Sequence, residues 1–295
     1  MDDIKNYIDI LHKRFFSLIL CSVLSIILCI LYLNTATPMY TAYMKIGPVD
    51  TSEQPAGSSG LGAAAGLVGI SLGGANSSSN YLIFQETIKT TRLSEKLILK
   101  NDPRTFFYSS TYDPETNTFS KPKGLKNFIK DIIKNILNYP EWEEPSSSSI
   151  SNIIQTSVKK SSNIDNNFIT YYFESHNKDF AKNFLEDIYL ETEALIKQQQ
   201  KEIALEKKDY YIDALAGASL GIHKQAIAGQ ILEQEKMLSK TGISTPISAM
   251  LIDDIGVLPY QTSPKRSQTL IFFIIVGFLF GYIYFVVKDI FLIKD

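Results

Sequence analysis

The sequence predicts an α+β membrane protein, in which two transmembrane helices flank a mixed domain that contains a long helix. Three observations lead to this fold class. A charge-free apolar run lies near each end of the chain, at Phe15–Leu33 and at Ser267–Val287. Alternating or aromatic stretches between the two runs indicate strands. The proline-free segment 177–240 is rich in Glu, Lys and Gln, which are good helix formers.

The two apolar runs are about 19 and about 21 residues long, which is enough for a helix to cross the hydrocarbon core of a bilayer. A core helix of a soluble protein seldom runs this far without a charge. A cleaved signal peptide is the alternative for the first run, but its apolar core would be shorter, and the sequence that follows offers only a weak cleavage site. We therefore expect transmembrane helices at 15–33 and 267–287.

The distribution of basic residues predicts the orientation. Residues 1–14 contain three basic side chains, whereas the sequence NTATPMYTAY after the first span contains none. The positive-inside rule places 1–14 in the cytoplasm, and the second crossing returns 288–295 to the same side. Lys265 and Arg266 favour the opposite orientation, but a long intervening segment translocates largely regardless of its charge. Residues 34–266 should therefore face outward.

The mixed domain begins with a strand, because Tyr40–Val49 alternates and ends in a Gly-Pro turn. Apolar residues at helical spacing predict a helix after Asn80 and an amphipathic helix over 125–138. A packed face is the simpler interpretation of the second helix, and a position on the membrane surface is the alternative. We expect a short helix or turn from Ser146–Ser149. The aromatic run Phe168–Phe173 predicts a strand in the same sheet as the first.

The segment 177–240 is predicted to form the long helix. As one continuous helix it would extend about 90 Å at 1.5 Å per residue. Gly217, Gly221 and Gly229 are the positions at which it could break or bend. A helix of this length and polarity needs neighbours along its length, and other copies of the same chain are the simplest neighbours. The sequence therefore predicts a homo-oligomer.

The glycine-rich stretch Gly57–Gly74 is not predicted to bind a nucleotide. Gly57 and Gly62 have the spacing of a phosphate-binding loop, but Ala63 stands where that loop needs a lysine. The preceding segment is a polar linker rather than a strand, so a dinucleotide fingerprint does not fit either. A loop or a small-residue helix near the membrane is the remaining interpretation.

The charges and titratable side chains argue against an enzyme. The net charge of −2 gives no reason to expect nucleic acid. The histidines are scattered, and the only two cysteines lie inside the first apolar run, so we expect no metal site and no cofactor. The pair Asp253-Asp254 is read as solvated, and Trp142 as a packing residue rather than a sugar platform. The histidines are His12, His176 and His223.

The second apolar run contains the pattern Gly277-Phe-Leu-Phe-Gly281. Small residues four apart allow the backbones of two helices to approach closely. We expect this face to pack on the first span or on a neighbouring subunit, although such a pattern also occurs by chance in glycine-tolerant spans.

The two ends of the chain also carry motifs in a recognisable order. A short amphipathic lead and a span are followed by P-x-Y-x-A, and a proline-rich approach near the other end leads into a glycine-bearing span. Between them, FITYYFESHNKDFAKNFLEDI has the form of a strand that leads into a long helix. This order resembles the polysaccharide co-polymerases, the Wzz-type chain-length determinants. The matching positions are Pro38, Tyr40, Ala42, Pro259, Pro264, Gly277 and Gly281.

The resemblance implies an α/β membrane-proximal base with a long helix that protrudes into the periplasm. It also implies ring-like homo-oligomers in the inner membrane, most of each chain being periplasmic. Members of the family regulate the length of O-antigen, capsule or exopolysaccharide chains, work with a membrane polymerase and catalyse nothing. Direct contact with the glycan stays open. Because the sequence stops at Asp295, we expect no cytoplasmic tyrosine-kinase domain of the kind that some relatives carry.

Two alternative functions are also compatible with the sequence. The first is an inner-membrane adaptor that links polysaccharide export to an outer-membrane translocon. The second is a membrane-fusion-type efflux or secretion adaptor, which should show a lipoyl-like β domain between paired helices; the sequence has no such run of strands.

Overall fold

The computed structural model describes residues 15–49, 76–122, 124, 133, 136–137, 142–162 and 167–292. These residues form two compact units. The terminal unit contains the described residues up to Thr41, the segment Glu174–Lys178 and the described residues from Val257 onward. The central unit contains those of Ala42–Phe173 and Asp179–Gly256.

The helices and strands alternate along the described chain, so the mixed helix and sheet content predicted from the sequence is confirmed. The helices are α1 (Phe15–Thr35), α2 (Asn76–Thr87), α3 (Thr91–Asn101), α4 (Arg104–Phe107), α5 (Ser147–Ser157), α6 (Lys178–Gly217), α7 (Gly221–Gly242) and α8 (Arg266–Leu292). The strands are β1 (Tyr40–Pro48), β2 (Tyr112–Asp113), β3 (Thr118–Phe119), β4 (Val158–Ser162), β5 (Ile169–Ser175), β6 (Ala249–Leu251) and β7 (Gly256–Val257).

The two apolar runs form α1 and α8, each of which is long and apolar enough to cross a membrane. The most apolar window of each helix has a mean hydropathy of 2.7. Only 17% of that window is buried in α1 and 11% in α8, whereas the core helix of a soluble protein would be mostly buried. Exposed apolar residues on helices of this length are typical of contact with lipid.

The main sheet has five strands in the order β4-β5-β1-β6, with β7 also paired to β1. The strand predicted at Phe168–Phe173 therefore lies beside the first strand, as expected. Side chains on β5 alternate, with Ile169, Tyr171 and Phe173 buried. Antiparallel pairing places Lys160 of β4 opposite Tyr171, and Met250 of β6 opposite Gly47 of β1.

The core of the central unit is rich in aromatic rings. The Phe184 ring lies 4.9 Å from that of Phe173 and 5.5 Å from that of Phe180, measured between centroids. Phe107 meets Phe184 edge to face at 5.4 Å. Ring pairs at these distances contribute about 0.5–1.5 kcal/mol each beyond the area that they bury. The start of α6 is thereby packed against β5 and α4.

The structure has two helices in the region where the sequence predicted one helix after Asn80. The first, α2, already begins at Asn76 and ends at Thr87. Thr90 then starts α3 as its N-cap, because its hydroxyl accepts the N–H of Leu93 at 3.3 Å. Threonine favours caps over helix interiors, since its side chain competes for backbone hydrogen bonds.

The predicted long helix over 177–240 is instead two helices that pack against each other. The first, α6, has 40 residues and is about 60 Å long at 1.5 Å per residue. The break lies at 218–220 and is flanked by Gly217 and Gly221, whose low helix propensity favours a turn. Lys197 Nζ donates to the carbonyl oxygen of Ile243, and Lys208 pairs with Glu235 at 3.1 Å. Contacts in this order make α6 and α7 an antiparallel hairpin.

Two features expected from the sequence lie outside the described residues. These are the glycine-rich stretch Gly57–Gly74 and, except for isolated positions, the amphipathic helix over 125–138.

Candidate functional site

The contact between α1 and α8 forms the first part of the candidate site. Leu18, Ser25 and Cys29 are buried on α1 at spacings of seven and four residues, which places them on one face of the helix. Gly277 and Gly281 are buried on the facing side of α8.

The two glycines allow this close approach. A Cβ atom built at Gly277 would lie 2.5 Å from Ser25 Cβ, and one built at Gly281 would lie 3.0 Å from Cys21 Cβ. Of the two partners expected for this face, the structure thus places α1 of the same chain against it. A larger side chain at Gly277 would push the backbones apart, because α1 backbone and side-chain atoms already fill the space.

A polar contact that the sequence did not reveal joins the same two helices. The Ser25 hydroxyl donates to the carbonyl oxygen of Phe273 at 2.6 Å. In a membrane such a bond between helices is worth about 0.6 kcal/mol on average and up to about 2 kcal/mol. The sequence contains one signal for such a bond, a serine at helical spacing among apolar residues. It does not show that the acceptor lies on a distant helix.

The segments that leave α1 and enter α8 pair with each other. Met39 N–H donates to the carbonyl oxygen of Ser263 at 2.9 Å, and Thr262 N–H donates to that of Met39 at 2.8 Å. Leu258 N–H donates to the carbonyl oxygen of Thr41 at 2.9 Å. This short ladder ties the ends of the two apolar helices together within the terminal unit.

The family-motif residues of these segments have different surroundings. Tyr40 is half-buried, and the ammonium of Lys178 lies 4.3 Å from the centre of its ring, a cation–π contact. Ala42 is fully buried in β1. Pro38 and Pro259 are exposed, and Pro264 is half-buried just before α8. The structure brings Gly277 and Gly281 together on one face but does not gather the seven motif positions into one pocket.

In the central unit, Glu193 anchors the chain that returns from α7. Its side chain is only 6% exposed, and its carboxylate accepts the backbone N–H groups of Ile247, Ser248 and Ala249 at 2.8–3.1 Å. The Ser248 hydroxyl also donates to it. No sequence motif marks Glu193. Its position four residues after Tyr189, on the apolar face of α6, was the signal that could have found it.

A second polar cluster joins α3 to α6. Lys100 Nζ lies 3.1 Å from an Asp187 oxygen and 3.0 Å from a Glu191 oxygen, while Asn101 Nδ2 donates to Asp187 at 2.7 Å. Burial lowers the pKa of Lys100, but the hydrogen bonds and charges of Glu191 and Asp187 outweigh that effect, so its pKa is raised overall. The lysine therefore stays charged as a link between the two helices.

The remaining candidate residues do not assemble into a catalytic site. Asp253 and Asp254 are both exposed in the turn between β6 and β7, where Asp254 N–H donates to the Asp253 side chain. His223 is exposed on α7, whereas His176 lies just after β5. Trp142 is half-buried before α5, and His12 lies outside the described residues. Within the described part of the chain, no group of three or more His, Cys, Asp or Glu side chains could hold a metal ion.

Comparison with protein families matches residues 3–100 to the model of the Wzz family, described as chain length determinant protein. The chain carries a Wzz segment. This segment includes the first span, the P-x-Y-x-A motif, helix α2 and all but the last residue of α3. The resemblance to the Wzz family is thereby confirmed over this segment, which holds Pro38, Tyr40 and Ala42, and the Wzz description supports a chain-length regulator rather than either adaptor. Proteins of this family are regulators rather than catalysts.

The chain was also compared with curated protein sequences and with solved structures. No curated protein sequence matches the chain. Among solved structures, a full-length bacterial polysaccharide co-polymerase is similar over 96% of both chains, with 12% identity and a TM-score of 0.47. Together with the Wzz segment, the two apolar helices indicate an inner-membrane protein.

Proposed function

We propose that the protein is a non-catalytic regulator of polysaccharide chain length that acts as an oligomeric scaffold in the inner membrane. In this proposal residues 34–266 are periplasmic, whereas 1–14 and 288–295 are cytoplasmic. Copies of the chain form a ring-like assembly with a membrane polymerase and influence when the growing glycan is released. The single observation that carries the proposal is the Wzz segment at residues 3–100, which includes an apolar helix fit to span the membrane.

The helix pair supports a role as an anchor. Gly277 packs against Ser25, and Met39 pairs with Ser263 just beyond the apolar helices. A terminal unit joined by both side-chain packing and a backbone ladder can hold the two ends of the intervening chain at one place in the membrane. Such a fixed anchor suits a scaffold.

The α6/α7 hairpin supports assembly with other copies. Each helix covers only one side of the other, and several large apolar side chains stay exposed on the hairpin. Exposed apolar residues are costly in water when they cluster, and they then mark an interface. Their relative exposures reach 69% at Tyr210, 59% at Leu220, 82% at Ile222 and 54% at Leu232.

Deletion of the gene tests the function directly. We expect the deletion to change the modal length of the surface polysaccharide on a gel, and the full chain expressed from a plasmid to restore it. An empty plasmid is the control. Complete loss of surface glycan would indicate the export adaptor instead, and an unchanged glycan would indicate the secretion adaptor.

The proposed orientation has its own test. Cysteine introduced at Lys224, an exposed position on α7, should react with a membrane-impermeant maleimide applied to the periplasmic side. The native Cys21 and Cys29 lie within the first apolar run and provide the unlabelled background. Cysteine introduced at Lys5 is the matched control, since we expect it to react only after the membrane is opened. The reverse pattern would contradict the proposed topology.

A further inference from the structure

A cleft in the central unit lies where the end of α3 meets the first turns of α6. Its volume is about 320 Å³, at the small end of the range for ligand sites. Seven residues line it: Leu97, Asn101, Pro103, Phe180, Asn183, Phe184 and Asp187.

The lining divides into an apolar wall and a polar rim. Leu97, Pro103, Phe180 and Phe184 form the wall, and the Phe180 ring is held by stacking on Phe106, 3.6 Å away between centroids. Two amides and one carboxylate form the rim. Such a combination, an apolar surface with a few placed polar groups, is typical of a site for a small ligand.

The two amides are suited to hydroxyl groups. Asn101 donates through Nδ2 to Asp187, which leaves its carbonyl oxygen to accept from a ligand. Asn183 is exposed, and its side chain makes no hydrogen bond with any other residue that the structure describes. Its amide can therefore both donate and accept. A hydroxyl also does both, so the rim matches a ligand with several hydroxyls.

The charges beside the cleft disfavour an anion. The ammonium of Lys100 is shared between Asp187 and Glu191, so these three side chains leave one uncompensated negative charge. Arg104 is paired with Asp102 at 2.8 Å and adds no net charge. A carboxylate or phosphate on a ligand would meet repulsion here, whereas a neutral ligand would not.

We propose that this cleft binds a neutral sugar unit of the polysaccharide whose length the protein regulates. Leu97, Pro103 and Phe184 are buried at the back of the wall, so the half-buried Phe180 supplies the apolar contact for the C–H face of a pyranose. The hydroxyls of the sugar match the amides of Asn101 and Asn183. This inference rests on the proposed function, which supplies the polysaccharide. It adds a place at which the growing chain contacts its regulator.

Binding is tested with the full chain in lipid nanodiscs, so that no sugar-headed detergent competes. The probes are size-fractionated oligosaccharides cut from the host's surface polysaccharide, with cellotetraose as a neutral and tetragalacturonate as an acidic comparison. The variant Asn183→Ala should weaken binding of the host oligosaccharides about fivefold, as expected for the loss of one hydrogen bond of about 1 kcal/mol. Calorimetric titration measures the affinity.

The matched control is Asn152→Ala, since Asn152 is also an exposed helical asparagine but does not line the cleft. This control should bind as the wild type does. The cleft assignment is overturned if the wild type binds no neutral probe, if the acidic probe binds as well as the neutral ones, or if the two variants bind equally.

Modal length separates this inference from the proposed function. In the deletion strain, Asn183→Ala should shift the modal length, whereas Asn152→Ala should not. If the wild-type chain sets the length and both variants do so equally, the cleft assignment fails while the proposed function stands. If the wild-type chain itself has no effect on length, the proposed function fails.

Discussion

The carboxylate of Glu193 accepts the backbone N–H of Ala249 at 2.8 Å, although 56 positions separate the two residues in the chain. The bond connects the middle of α6 to the first residue of β6. Together with the bonds from Ile247 and Ser248, it satisfies consecutive backbone donors where the chain leaves the hairpin and enters the sheet. The hairpin and the sheet of the central unit are joined at this point.

The Glu193→Gln variant should therefore be strongly destabilised. The uncharged amide offers one oxygen instead of two and turns an NH₂ group toward backbone donors. We expect a loss of about 2–4 kcal/mol in the free energy of unfolding, because buried donors stay unpaired. Thermal unfolding of the full chain measures it. Glu206→Gln, at an exposed position on the same helix, is the control, and equal melting temperatures would contradict this role for Glu193.

The helix pair predicts a specific cross-link. In the Gly281→Cys variant, the new Cβ would lie about 3.0 Å from Cys21 Cβ, so a small shift of the helices reaches the distance of a disulfide. Oxidation should link α1 to α8 within one chain, which partial proteolysis detects. The matched control is Phe280→Cys, since Phe280 is 70% exposed on α8. Cross-linking in both variants, or in neither, would disprove this pairing of the helices.

Substitution by alanine should have opposite effects on stability at two glycines. A Cβ at Gly47 would lie 2.8 Å from the Phe168 ring and 2.9 Å from Ile252 Cδ1, so Gly47→Ala should cost about 1–3 kcal/mol through overpacking. No heavy atom lies within 4 Å of a Cβ at Gly229, in the interior of α7. Gly229→Ala should therefore stabilise the helix by about 0.5–1 kcal/mol. The melting temperature should fall in Gly47→Ala and rise in Gly229→Ala. Shifts in the same direction would contradict the difference in packing around the two glycines.

The central unit should lose stability at alkaline pH. Burial raises the pKa of Tyr81 and of Tyr189 from 10.0 to about 12, and the charge of Glu193 adds to the effect at Tyr189. The folded state thus keeps both protons at a pH where the unfolded chain has lost them. The stabilisation is complete below about pH 10 and is lost as the pH rises toward about pH 12.

Melting temperature as a function of pH checks this prediction. The fall in melting temperature above pH 10 should be less steep in Tyr81→Phe, because the phenylalanine side chain cannot ionise. Tyr210→Phe is the control, since Tyr210 is 69% exposed. If the melting temperature falls identically at alkaline pH in Tyr81→Phe and in the wild type, Tyr81 does not contribute to the loss of stability.

Sequence patterns by themselves determined the parts of this protein that depend on neighbouring residues. Hydropathy located α1 and α8, because the length of an apolar run decides whether a helix can span a membrane. Alternation located β1, and the aromatic run located β5. The order of the terminal motifs, with P-x-Y-x-A beside the first span, indicated a resemblance to the Wzz family, whose model matches residues 3–100.

Only the tertiary structure decided how distant segments meet. Glycines marked the places where the predicted long helix could break, but not that α7 would return along α6 and pair Lys208 with Glu235. Likewise, the GxxxG pattern predicted a close contact with either the first span or a neighbouring subunit, and the structure places α1 against it. Asn101 and Asp187 form part of the cleft only because α3 packs on α6. Hydrophobic periodicity indicates which face of a helix or strand is apolar. Which element packs against that face depends on residues far apart in the chain.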